Sequence, residues 1–154
     1  MLVLGCTRTA AVVVDAGAPL EDCTLATVLK PGVPGSPGHL IASARNPNGA
    51  SELATLMRTF VDDWKAARVA LGADAGVSAR LPSQRTIRCA WPTDAADRNP
   101  VFDGFAVAYL EKVKAFDAKP SPETYEGVLD GCKACHEVSC GGPLEVIEGL
   151  RWAR

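Results

Sequence analysis

Between Ser51 and Leu71 the apolar residues Leu53, Leu56, Met57, Phe60, Val61, Trp64, Ala67 and Leu71 recur three and four apart. That period predicts an amphipathic helix with one broad buried face. Ser51 supplies an N-cap and Gly72 a stop. A second stripe, Phe102, Phe105, Tyr109, Val113 and Phe116, follows the cap-and-proline pair Asn99-Pro100 and ends at Pro120. The third begins with Ser121 and Pro122, carries Tyr125, Val128, Leu129, Cys132, Cys135 and His136 along one side, and stops at Gly141-Gly142-Pro143. Leu144, Ile147 and Leu150 are spaced for a further turn or two. Residues 72–98, punctuated by Gly72, Gly76, Pro82 and Pro92, predict a crossover with at most a short helix, and Thr86 to Trp91 reads as extended. The expected fold is all-α: a helical bundle of three long helices whose fourth is weak or missing.

The N-terminal third lacks this period. Residues 31–49 are rich in proline and glycine and read as a long irregular loop that carries His39, while Val12-Val13-Val14 is a β-branched run. Leu2-Val3-Leu4-Gly5-Cys6 is similar to the end of a lipoprotein signal, with Cys6 as the lipid acceptor, although the basic and most of the apolar part of such a signal are missing. An ordinary apolar N-terminus is the alternative. No run approaches the ~18 apolar residues of a spanning helix, so any membrane attachment would be a lipid anchor. The expected organisation is a truncated signal remnant over 1–6, an irregular extension over 7–49 and a helical domain over 50–154.

Composition narrows the function classes. With 154 residues the chain is one domain's worth, and 47% apolar residues can bury a core around a cofactor. Sixteen basic against eighteen acidic residues, without a basic stripe, argue against nucleic acid as a partner. Two histidines and no Ser/His/Asp set leave little room for hydrolytic catalysis, and no enzyme activity is expected. Six cysteines fit an oxidising compartment.

Two of those cysteines stand in Cys132-Lys133-Ala134-Cys135-His136. Thiols three apart on a helix suit thioether bonds to the two vinyl groups of one porphyrin. His136, four after Cys132, shares its face and can bind the iron. One covalent haem c is therefore expected, with Cys132 and Cys135 as attachment points and His136 as proximal ligand. A thioredoxin-like redox pair would need a preceding strand, where a helix is predicted. A zinc site of Cys132, Cys135, His136 and Cys140 is awkward, because adjacent Cys135 and His136 point in different directions. Purely structural cysteines are the last alternative.

The position of the motif adds to its letters. Only 18 residues follow His136 and none is methionine, which excludes the arrangement in which a methionine ligand follows the motif. A haem motif closing the last long helix resembles the class II cytochromes c, meaning cytochrome c-prime and its low-spin relatives. The resemblance covers roughly residues 50–140 and includes the helix Glu52-Leu53-Ala54-Thr55-Leu56-Met57-Arg58-Thr59-Phe60. It implies a distant member of a four-helix family with the distal residue on the first helix. There Met57, the only methionine besides the initiator, is the expected sixth ligand, with His39 or an open distal site as alternatives. Helix-stripe methionines also commonly just fill core space.

Leu53, Phe60, Tyr125 and Leu129 are read as haem contacts, and Trp64, Phe102, Phe105 and Tyr109 as further wall. Arg58, Arg85 and Arg88 are candidates for the haem propionates. Cys140 is expected in a disulfide, to Cys89 in preference to Cys23. The function so implied is electron transfer between redox proteins of the bacterial periplasm or cell envelope, as a free carrier or an accessory subunit of a membrane respiratory or photosynthetic complex. In the accessory case, segments 7–49 and 141–154 are partner-binding surfaces. The alternative is a high-spin haem that binds nitric oxide or carbon monoxide.

Overall fold

A computed structural model describes residues 22–152; Cys6, the Val12 to Val14 run and the proposed signal remnant lie outside the described residues. Helix α1, Glu52–Gly72, starts as its sequence dictates. Ser51 Oγ accepts from Ala54 N at 3.1 Å and Ser51 O from Thr55 N. The two earlier N–H groups reach outside the helix, Glu52 N to Gly35 O and Leu53 N to Trp91 O at 2.9 Å. The three N–H groups of the first turn, those of Glu52, Leu53 and Ala54, which have no partner within the helix, are thereby satisfied, and two remote segments are pinned to one point. Gly35 makes this possible: its φ is +90°, and a Cβ there would stand 2.6 Å from Glu52 N.

Helix α2, Leu81–Gln84, is a single turn that runs into a 3₁₀ turn over Arg85–Cys89. This corrects the extended reading of Thr86 to Trp91. Ile87 and Ala90 are both buried, 4% and 8% exposed. Residues three apart fall on one side of a 3₁₀ turn but on opposite faces of a strand. Helix α3, Pro100–Ala118, is capped by Asn99, whose Oδ1 accepts from the N–H of Val101 and Phe102. After three residues, α4, Pro122–Ser139, begins with a Ser121/Thr124 capping box. Helix α5, Leu144–Gly149, follows.

The molecule is mostly helical, but not all-α. Strands β1, Ile41–Ser43, and β2, Asn46–Ala50, form an antiparallel hairpin, with Ile41 opposite Ala50 and Ser43 opposite Asn46. It occupies what the sequence reads as irregular loop. Gly49 (φ +84°) lets β2 run close to Leu40 and Ile41, where a Cβ would come within about 3 Å of both. Among the described residues no helix is long and apolar enough to cross a membrane.

One aromatic layer holds α1, α3 and α4 together. Trp64 meets Phe116 edge-on at 5.0 Å and Tyr125 at 5.9 Å, and Tyr125 meets Trp152 at 6.0 Å. Phe60 stacks on Tyr109 at 5.8 Å. Such pairs add roughly 0.5–1.5 kcal/mol beyond area burial.

The disulfide joins Cys23 to Cys89, not Cys140 to Cys89 as expected. Cys89 lies beside the start of α1, whereas Cys140 is exposed at the far end of α4, next to Cys135 and His136. The bridge closes a loop across 66 positions. On the loop-entropy scale this is worth about 4 kcal/mol, and Arg98 adds bonds to the carbonyls of Thr24 and Leu25. Cys23→Ser is expected to lower the unfolding free energy by about 2–4 kcal/mol in urea titration; an unchanged midpoint would show the bridge to be unformed.

Candidate functional site

Cys132, Cys135 and His136 stand on the last two turns of α4 and share one apolar cleft. Its α1 wall is Met57, Phe60, Val61 and Trp64; Tyr109 of α3 and Ile87 lie behind; Pro143, Val146, Ile147 and Leu150 come from the C-terminal segment. The cleft encloses about 80 Å³. Thus the structure brings Met57 to the same cavity as the pentapeptide, from a helix some 75 residues earlier in the chain.

Each donor has a distinct environment. Burial, and then the neighbouring Cys135, pushes the Cys132 thiol up to about 12. Burial, and then Cys140, also raises Cys135. Both are therefore protonated thiols at neutral pH. His136 Nδ1 lies 2.9 Å from the carbonyl oxygen of Cys140. A carbonyl only accepts, so Nδ1 carries a proton, and in the neutral ring the lone pair is on Nε2. The bend of the chain after Ser139 thus fixes the tautomer in which Nε2 can bind a metal. Met57 adds a thioether, a soft neutral donor.

Among the described residues no three His, Cys, Asp or Glu side chains gather as a metal site of their own. The zinc arrangement of Cys132, Cys135, His136 and Cys140 is not assembled. A set of one imidazole, one thioether and two thiols suits a group that brings most of its own ligands.

The other sequence candidates divide. Phe60, Trp64 and Tyr109 line the cleft. Tyr125 and Leu129 do not; both are fully buried in the core, and Tyr125 OH donates to Leu150 O at 2.8 Å. Leu53 packs against the core one turn before Met57, outside the cleft lining. Phe102 is buried at the start of α3 and Phe105 half-buried, neither at the cleft. His39 is exposed in the turn before β1, its Nδ1 3.3 Å from Pro37 O. Arg88 holds Asp103 through two bonds of 2.7 and 3.0 Å, Arg85 holds Asp22, and Arg58 reaches Ser43 Oγ; none of the three lines the cleft.

Sequence reasoning missed a buried polar chain at the back of the cleft. Trp64 Nε1 donates to Tyr109 OH at 3.0 Å, Tyr109 OH donates to Gln84 Oε1, and Gln84 Nε2 donates to Asp63 Oδ2 at 3.3 Å. Burial raises the Tyr109 phenol well above its usual value, and ionisation of Cys132 would raise it further. Tyr109 therefore stays a donor to Gln84. Gln84 carries no signal in the sequence, being one polar residue in an irregular stretch. A second, open groove of about 410 Å³ lies where α1 begins, lined by residues such as Pro34, Ile41 and Leu56; it contains no imidazole or free thiol.

No family model matches the chain, and neither does any curated protein or solved structure.

Proposed function

We propose that the chain is a monohaem c-type cytochrome that carries electrons between envelope redox partners. Cys132 and Cys135 hold the haem through thioether bonds, His136 Nε2 is the proximal ligand and Met57 the sixth. The observation that carries this reading is the meeting of Cys132, Cys135, His136 and Met57 on the walls of one apolar cleft.

The residues fit the group. Their donors are of the types that haem iron and vinyl groups take, the lining is apolar, and the one imidazole has its Nε2 free. The enclosed 80 Å³ is less than a porphyrin displaces, so the macrocycle needs the walls formed by α1 and α5 to stand further from α4.

When bound, haem supplies a one-electron couple between ferric and ferrous iron. The chain's own residues set its conditions. The Cys140 carbonyl orients His136 and keeps its proton on Nδ1. Met57, Phe60, Val61 and Trp64 keep water from the α1 side. Methionine ligation raises the potential relative to two histidines. With His136 and Met57 both engaged by the group, little of the chain would move on electron transfer, as a carrier requires. The compartment that goes with this reading is the periplasm or cell envelope, and the resemblance to class II cytochromes c supports the same assignment.

A pyridine haemochrome spectrum tests the cofactor, and one c-type haem per chain is expected. Met57→Ala tests the sixth ligand. The variant is expected to become high-spin, to bind carbon monoxide when reduced, and to fall in potential. If the unaltered protein already does so, Met57 is no ligand and the site is a gas-binding one. A preparation without the c-type band would overturn the haem reading altogether.

A further inference from the structure

We infer that the mouth of the cleft is a docking surface for a positively charged redox protein. This rests on the electron-carrier reading and adds the chemistry of the partner. Two of the exposed large apolar side chains of the described chain stand here. Val146, 48% exposed, lines the cleft itself, and Val138, 63% exposed, lies three residues after Cys135 on α4. An exposed apolar pair at the opening of a cofactor cleft costs solvation in the free protein and is covered in a complex.

The C-terminal stretch that supplies α4 and the far wall of this mouth is negative on balance. From residue 122 onward the chain has six carboxylates against Lys133, Arg151 and Arg154, a net of three negative charges. The whole chain carries two, so everything before residue 122 is positive by one. Of the nearby cations, Lys112 on α3, beside Gly131, is exposed and forms no ion pair among the described residues, while the others are occupied. Lys133 is 2.9 Å from Glu148; Arg151 is 2.7 Å from both Glu126 and Asp130; Arg68 donates to the carbonyls of Gly149 and Arg151. Glu137 and Glu145, next to Val138 and Val146, are exposed and form no ion pair among the described residues. Glu137 is felt only at longer range by Lys133.

An apolar centre with an acidic rim is complementary to an apolar centre with a basic rim. A second copy of this chain would bring two negative mouths together, and an anionic lipid surface would be repelled. A basic protein remains as the occupant.

The test uses the full haem-loaded chain, isotope-labelled, titrated with a zinc-substituted, redox-inert basic c-type cytochrome. Amide shifts are expected around Val138, Glu145 and Val146. Affinity should fall at least tenfold when salt rises from about 0.01 to about 0.5 M. Glu137→Lys with Glu145→Lys should weaken binding about tenfold at low salt and make no difference at high salt. Glu111→Lys, an exposed reversal on α3, should leave it unchanged. Shifts on another face, equal binding of an acidic flavodoxin, or indifference to the double reversal would overturn the inference. The haemochrome band of the same sample reports separately on the haem reading, and the titration reads association without electron transfer.

Discussion

Cys132→Ser combined with Cys135→Ser is expected to take the chain from one covalently bound haem to none, read as loss of the haem stain after denaturing electrophoresis. The size of the effect follows from the cleft. Non-covalent retention needs a pocket that encloses the macrocycle, and this one encloses about 80 Å³. Two axial bonds alone would have to hold the group while its edge stays in water. The fold itself should survive, because the aromatic layer of Trp64, Phe116 and Tyr125 is built without either thiol. The far-ultraviolet circular dichroism of the double variant should therefore keep its helical form. Each single variant should retain haem through one thioether, with a shifted haemochrome band. Covalent haem persisting in the double variant would place the attachment elsewhere.

Trp64→Ala is expected to cost about 4–6 kcal/mol of unfolding free energy, from roughly 3–5 for emptying a large aromatic site and about 1 for the broken hydrogen bond. Trp64 is 1% exposed and touches both the aromatic layer and the polar chain. Domains of this size are stable by only ~5–15 kcal/mol, so the variant stands near the threshold of folding. Trp64→Phe keeps most of the apolar area and leaves Tyr109 without its donor; a loss of about 1–2 kcal/mol is expected. Urea titration of the three proteins provides the check. A loss below about 1 kcal/mol in Trp64→Ala would mean that α1 is not locked to α3 and α4 at this point.

What the sequence made legible was local. Ser51, Asn99 and Ser121 each start the helix they were expected to start, because a cap acts within three residues. Gly72 closes α1, and the C-terminal turn forms where Leu144, Ile147 and Leu150 predict it. The failures are non-local or weakly patterned. The segment Asn46-Pro47-Asn48-Gly49 has little strand propensity and is a strand only because Ala50 and Ser51 are anchored at the start of α1. The partner of Cys89 was beyond reach of spacing arguments, since nothing local distinguishes Cys23 from Cys140.

At the cleft, the stripe on α1 was read correctly as a face but too broadly. Only the arc of Met57, Phe60, Val61 and Trp64 turns to Cys132, and Leu53 does not. Tyr125 precedes Cys132 by seven residues, which places it about 10 Å further back along the axis of α4. There it lies under Leu150 and lines the core. Leu129 is rotated toward the core in the same way. The pentapeptide was recognisable by its letters alone, whereas its surroundings depend on where α1 and α5 cross α4.

The narrowness of the cleft also bears on how such a protein is made. If the chain carries haem as proposed, a rigid, flat macrocycle would not slip between α1 and α4 once Trp64 and Phe60 are seated, so attachment would have to happen on a chain that is still open. Maturation would then become a race between two rates, thioether formation at Cys132 and closure of the helices behind it. In such a race, substitutions that hasten folding reduce the yield of loaded protein, although every one of them would score as an improvement in a stability assay.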